Sequence, residues 1–240
     1  MHSQAGMTDL LRCSRCGGME FAEGKVLWPE LIAEWQLTST EVEYIDRQQG
    51  CACVRCGTNL RSNALGNAIR QALNTSLPLD LAVQVPTFAS WRILDLNGVP
   101  GLSEVLCKLP NYLRRDFPDV DIHALPFEDA SFDLVIHSDT LEHVATPIVA
   151  LQQCRRVLKP GARLCFTAPI VVGRLTRSRA GLPPSYHGIP GENPADFIVH
   201  TEFGADIWTM VFAAGFSDLA MSQLDYPAAI AISAWDRKPL

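Results

Sequence analysis

Two short cysteine turns constrain this chain more than any other feature. Cys13-Ser-Arg-Cys16-Gly17 and Cys53-Val-Arg-Cys56-Gly57 share the pattern Cys-x2-Cys-Gly and are separated by 36 residues. Two intervening residues let one tight turn aim both sulfurs at a single ion. The glycine lets the backbone curl so that its amides face the thiolates. Two such turns supply four sulfurs, the tetrahedral set that zinc takes in closed structural sites. A closed site keeps no position for water, so the metal is assigned no catalysis. Cys51 is a fifth candidate beside the second pair, and reduced or redox-active thiols are the competing reading. Cys107, Cys154 and Cys165 stand in apolar surroundings and read as buried, inert thiols.

The remaining bulk properties fit a medium-sized domain behind a small one. The chain has 240 residues, 48% of them apolar and 19% charged, which argues against disorder. Its net charge is −6, with 7 Lys/Arg against 8 Asp/Glu in residues 1–74 and 13 against 18 in the rest. Neither part offers the basic footprint of a nucleic-acid binder. No stretch near the N-terminus reads as a signal peptide, and no run approaches the roughly 20 apolar residues of a membrane span. The expectation is a cytoplasmic protein without a membrane or nucleic-acid partner.

Periodicity divides the chain. Residues 1–74 read as the cysteine module with helices. Trp28-Pro29-Glu30 opens one. Thr38 and Glu41, like Thr40 and Glu43, have capping-box spacing ahead of a second helix through Val42 and Ile45. Leu60 to Leu73 reads as a third, with Leu65, Ile69 and Leu73 on one stripe. Residues 75–90, with two prolines and few charges, read as a linker. From residue 91 to 240 strands and helices alternate. Arg92-Ile93-Leu94-Asp95-Leu96, Phe132-Asp133-Leu134-Val135-Ile136 and Arg163 to Ala168 read as strands, Leu102 to Leu109 and Thr146 to Leu158 as helices. Such alternation predicts a mostly parallel sheet covered on both faces. Phe203 to Phe216 carries Ile207, Trp208, Val211 and Phe212 at core-helix spacing, and Ala228 to Trp235 reads as a last strand.

Four blocks in this second region carry a resemblance. Asp121-Ile122-His123-Ala124-Leu125-Pro126-Phe127 leads into Ser131-Phe132-Asp133-Leu134-Val135. Leu141-Glu142-His143-Val144 and Arg156-Val157-Leu158-Lys159-Pro160-Gly161 follow. Ahead of them, Leu94-Asp95-Leu96-Asn97-Gly98-Val99-Pro100-Gly101 lies after a strand and before a helix, where a doubly wound fold places a cofactor loop. From about Trp91 to Gly215 the chain resembles the class I S-adenosylmethionine-dependent methyltransferases. The resemblance implies an α/β Rossmann-like, mostly parallel seven-stranded sheet behind the small zinc-binding α+β module. It implies transfer of a methyl group to an oxygen or nitrogen of a small-molecule or carbohydrate-like acceptor. A binding protein that has lost turnover, and a nucleic-acid methyltransferase gripping through the zinc module, are the alternatives.

The resemblance also assigns roles. Asp95 ends the first strand and orients the loop. Gly98 and Gly101 let backbone approach the cofactor's amino-acid part. Asp116, 21 residues after Asp95, accepts the ribose hydroxyls. Asp121 accepts the adenine amino group, with Ile122 beside the ring. His137, Ser138 and Asp139 face the transferring methyl. The family loop reads Asp-x-Gly-x-Gly-x-Gly, and here Asn97 and Val99 stand at two of its glycines. Asn97 tolerates left-handed angles, whereas Val99 is expected to crowd the cofactor. His137 and Asp139, with His187 and His200 from later turn-rich segments, are the catalytic candidates. Tyr186 and Glu202 are further possible acceptor contacts, and Arg174, Arg177 and Arg179 form a cluster suited to an anion. His143 is assigned to structure.

Overall fold

In the computed structural model, residues 11–186 and 197–237 are described. The cysteine turns come first, joined by a small antiparallel pair, β1 (Phe21–Ala22) with β2 (Ala52–Cys53). Between these strands lie α1 (Pro29–Glu34) and α2 (Ser39–Gly50). The Thr38–Glu41 capping box forms at the start of α2: the Thr38 side chain accepts from the Glu41 amide and the Glu41 carboxylate accepts from the Thr38 amide. Next comes α3 (Leu60–Ala72), capped by Asn59.

The main sheet contains β3 (Ile93–Leu96), β4 (Tyr112–Arg115), β5 (Phe132–Ser138), β6 (Leu158–Thr167), β10 (Asp218–Leu224) and β11 (Ala229–Trp235), in the order β10-β11-β6-β5-β3-β4. The four strands from β6 to β4 are parallel, and β11 and β10 are antiparallel. The Rossmann-like doubly wound fold is therefore present, but with six strands among the described residues rather than the expected seven. No described strand pairs with the outer side of β4. After β4 the chain runs instead through a loop with Pro118 and Pro126 and a 3-10 turn at Ile122–Ala124. All four residues of β3 are buried, as expected of a central parallel strand covered on both faces.

On one face of the sheet lie α6 (Pro147–Val157) and α7 (Trp208–Ala213). On the other lie α3 and α5 (Ser103–Leu106). Thus α3 is part of the sheet's own cover: it packs over β6, β10 and β11, with Leu60, Leu65 and Ile69 fully buried. Each such side chain contributes about 1.5–3 kcal/mol. One apolar cluster runs from Tyr44 and Leu60 through Leu79 and Phe88 to Ile93 and Ile136. The stretch expected as a linker belongs to that cluster, folding as α4 (Leu79–Ala82) and a 3-10 turn at Pro86–Phe88. A second small sheet follows β6: β7 (Ile170–Val171), β9 (Thr201–Gly204) and β8 (Arg177–Ser178), in the order β7-β9-β8.

The Phe203–Phe216 reading needs correction. Phe203 lies in β9, and α7 is one short helix in which Val211, like Ile207 just before it, turns inward while Trp208 and Phe212 are 43% and 44% exposed. The helix expected over Leu102–Leu109 is likewise confined to Ser103–Leu106.

Candidate functional site

The cysteine turns meet. The sulfurs of Cys13, Cys16, Cys53 and Cys56 all lie within 4.8 Å of one another. Cys13 and Cys56 are 3.5 Å apart and Cys16 and Cys53 3.7 Å, far beyond a disulfide bond. In each turn the glycine amide donates to the first cysteine's carbonyl at 2.8 Å, and Gly17 and Gly57 have φ of 76° and 73°. Burial pushes the Cys13 and Cys16 thiols up. Burial also opposes ionisation of Cys56, but the hydroxyl and amide of Thr58 and the neighbouring thiols outweigh it and bring that group down to about 7. Four clustered sulfurs form a donor set for a metal. Cys51 is outside it, buried at the C-terminal end of α2.

The second group of candidates gathers where β3, β4 and β5 end. Asp95 is fully buried and accepts from Ser103 Oγ and Tyr112 Oη, each at 2.5 Å. Burial raises its pKa, against the pull of those two donors. Ser103 Oγ in turn accepts from the Val99 amide at 2.6 Å. Asp95 therefore orients the loop through Ser103, a residue that the sequence reading did not single out. Asn97 and Gly98 are successive left-handed residues, φ 66° and 74°. The Asn97 side chain spans two strand ends, accepting from the Phe117 amide at 2.8 Å and donating to Thr140 Oγ1 at 3.3 Å. Val99 does not crowd the loop: its side chain is buried in the apolar cluster beneath. A cleft of about 370 Å³ opens beside the loop, between Gly98, α5, Tyr112 and Arg114.

Asp116 lies one residue beyond β4, where Arg114 Nε donates to both its oxygens at 2.8 and 3.1 Å. The same guanidinium covers Gly98, where an added Cβ would come within 2.5 Å of Arg114 Cζ. Asp121 caps the 3-10 turn and is half exposed; the His123 amide and ring lower its pKa. Ile122 is buried in the core rather than open to a ligand. Gly101 (φ 78°) faces Thr58 of the cysteine module, so its closest neighbour is protein.

At the end of β5, His137 turns away from the site. It is fully buried, stacks on Phe166 with ring centroids 5.0 Å apart, and neither ring nitrogen has a hydrogen-bond partner. Burial lowers its pKa to about 3. An uncharged ring sealed in the core cannot take a proton from an acceptor. Ser138 Oγ and Thr167 Oγ1 are 2.8 Å apart. Asp139, at φ 49°, forms an ion pair with Arg61 of α3, whose side chain is buried. Arg61 was not legible as a site residue, because nothing in its own helix marks its distant partner. Burial, and then Asp139, raise the pKa of the enclosed Glu142.

His143 Nδ1 lies 3.1 Å from the Ile198 carbonyl, in keeping with a structural role. His200, at the start of β9, is partly exposed and gives its amide to the Glu142 carbonyl at 2.7 Å. His187 lies outside the described residues. Tyr186, 47% exposed, bridges to Ile198. The arginine cluster is neutralised: Arg174 pairs with Glu41 at 2.8 Å, Arg177 with Glu202 at 2.6 Å, and Arg179 also with Glu202. A small apolar hollow of about 30 Å³ lies beyond the end of β6, walled by Leu31, Trp35, Ile45, Ile170 and Val171 with Gln48 and Gln49 on its lining.

Residues 103–166, which run from α5 through β4, β5 and α6 into β6, match the family model described as a methyltransferase domain. Over those residues the chain is similar to that domain. Over 112 residues the chain is 42% identical to a ubiquinone biosynthesis O-methyltransferase from Roseobacter denitrificans, covering 37% of the chain and 45% of that relative. It is 43% identical over 83 residues to an uncharacterised methyltransferase from Schizosaccharomyces pombe, covering 30% of each. The chain thus spans less than half the length of these curated relatives. A solved S-adenosylmethionine-dependent methyltransferase from Methanosarcina mazei superimposes with a TM-score of 0.38 and 14% identity, covering 64% of this chain and 99% of that one. No described helix is long and apolar enough to cross a membrane.

Proposed function

We propose that this protein transfers a methyl group from S-adenosylmethionine to an oxygen or nitrogen of a small-molecule acceptor, and that its four cysteines hold a structural zinc ion. One observation carries the reading. The curled Asn97–Gly98 backbone, the Asp116 carboxylate and the Asp139–Arg61 pair all lie at the carboxyl ends of adjacent parallel strands, where doubly wound sheets bind ligands.

The residues fit the cofactor. At Gly98 the space a side chain would fill is closed only by the far end of a flexible arginine, so backbone can approach a ligand once Arg114 swings. Asp116 has the two acceptor oxygens that a ribose diol needs, and Asp121 is open to an exocyclic amine. When bound, S-adenosylmethionine would supply a methyl group on a sulfonium sulfur, open to in-line attack by an acceptor oxygen or nitrogen as the S–CH3 bond breaks and the thioether leaves. Asp139 takes the acceptor's proton onto its carboxylate, and Arg61 fixes the direction in which that carboxylate points. His200 is the second candidate base. His137 has no place in this step, and Ser138 and Thr167 hold the strand ends together.

A relative named as a ubiquinone biosynthesis O-methyltransferase is a precedent for an oxygen acceptor. Reduced thiols suit a cytoplasmic setting, and four thiolates complete a tetrahedral zinc shell. Calorimetric titration with S-adenosylhomocysteine tests the cofactor half of the reading, and elemental analysis of the purified protein tests the metal half. Absence of binding at millimolar S-adenosylhomocysteine rules out the transferase reading; another metal in stoichiometric amount rules out zinc.

A further inference from the structure

We infer that the four-cysteine module is a positioning element for the cofactor loop, acting through Thr58 and Arg15. This rests on the proposed function above. Both contacts originate in the chelate turns. Thr58 follows Cys56 by two residues, and its hydroxyl oxygen lies 3.3 Å from Cys56 Sγ. On its other side it meets Gly101, where an added Cβ would come within 2.8 Å of the Thr58 hydroxyl oxygen. Gly101 also sits at φ 78°, so both the angle and the clearance require glycine.

Arg15 lies between Cys13 and Cys16 and donates to Glu104 at 2.9 Å. The other Glu104 oxygen accepts from the Gly101 amide at 3.4 Å. The loop's exit is therefore held from both turns. The turns are themselves joined through Asn63, whose Oδ1 accepts from the Ser14 amide at 2.8 Å and whose Nδ2 donates to the Thr58 carbonyl at 2.9 Å. The arrangement is a closed circuit: one turn, Asn63, the other turn, Gly101, Glu104 and back. Drawing four sulfurs to one ion fixes the two turns relative to each other. That in turn fixes Thr58 against the loop whose start is set by Asp95 and Ser103.

Two sites coupled through shared contacts affect each other reciprocally. A metal that merely prevents unfolding would also tighten when ligand binds the folded state, so the test must read the metal in folded, loaded protein. Cobalt(II) in a four-thiolate site reports its geometry through visible absorption. S-adenosylhomocysteine titrated into the full-length cobalt-loaded protein is expected to shift those bands with the same Kd that calorimetry gives. Thr58→Val keeps the side chain's shape. With metal content and circular dichroism unchanged, it is expected to weaken S-adenosylhomocysteine binding at least about fivefold and to abolish the spectral shift. Should calorimetry record binding while the cobalt bands stay still, the positioning inference fails and the transferase reading stands. If the wild-type protein binds no S-adenosylhomocysteine, both fall. An unaltered Kd in Thr58→Val also overturns the inference.

Discussion

Arg114 and Asp116 form a two-toothed clasp over the Asn97–Gly98 turn: one guanidinium nitrogen donates to both carboxylate oxygens at 2.8 and 3.1 Å, while the rest of the group rests above Gly98. Both partners are about half exposed, and an ion pair of this kind is worth no more than about 1 kcal/mol. It is weak enough to open and occupies the oxygens that a ribose would use. Arg114→Ala is therefore expected to tighten S-adenosylhomocysteine binding by up to about fivefold. Asp116→Ala removes a charged acceptor, worth about 1.5–3 kcal/mol, and is expected to weaken binding by about 10- to 150-fold. Calorimetry on the two variants reads both signs; equal affinities in all three proteins would remove Asp116 from the site.

Asn97 stands where related loops carry glycine, yet its side chain joins Phe117 after β4 to Thr140 after β5. Replacing it with glycine relieves the left-handed backbone but deletes both bonds, each worth about 1 kcal/mol. Asn97→Gly is expected to weaken S-adenosylhomocysteine binding by about three- to tenfold. Tighter binding would mean that the left-handed angle outweighs both side-chain bonds.

These two positions show what could be read from the sequence. The mostly apolar runs of β3 and β5, the Thr38 cap and the four paired cysteines are local signals, and the structure forms the strands, the cap and the sulfur cluster. The partition around α3 was not legible. A stripe of Leu65, Ile69 and Leu73 says that one face is buried, but not that the main sheet covers it. For the same reason Trp208 and Phe212, four residues apart like Ile207 and Val211, were placed in the core although they point outward. The edge strand β10, Asp-Leu-Ala-Met-Ser-Gln-Leu, has too little apolar alternation to stand out. Arg61 and Asp139 meet only because α3 folds over the sheet, and no spacing rule connects them.

His137 makes stability depend on pH. Buried and without hydrogen-bond partners, it titrates near 3 in the folded chain, against about 6.5 when unfolded. Between these values the unfolded chain binds the extra proton, so acidification from about pH 6.5 towards 3 favours unfolding, at up to about 1.4 kcal/mol per pH unit. Glu142 acts in the opposite sense: its raised carboxyl pKa makes folding less favourable as pH climbs above its ordinary value. The comparison must therefore be with His137→Phe, which keeps a ring on Phe166 and removes only the titration. Urea unfolding at pH 7, 6 and 5 is expected to show wild type losing stability faster than this variant. Parallel pH profiles would show that His137 finds a partner or water in solution.

Metal removal separates Cys53 from its neighbour Cys51. Cys53 belongs to the four-sulfur cluster, whereas Cys51 caps α2 and packs in the apolar core. Structural zinc in small peptides supplies roughly 10–16 kcal/mol of folding free energy. Loss of one ligand that forfeits even a fifth of this would lower Tm by roughly 5–10 °C in a chain of this size. Cys53→Ser is expected to emerge with less than half the wild-type metal and such a drop in Tm. Cys51→Ser is expected to keep full metal content, with only the smaller cost of a buried hydroxyl. Elemental analysis beside thermal unfolding reads both variants. A metal-free Cys53→Ser that melts with the wild type would show that the four thiols do not depend on an ion. Metal loss in Cys51→Ser would instead place that thiol in the coordination shell.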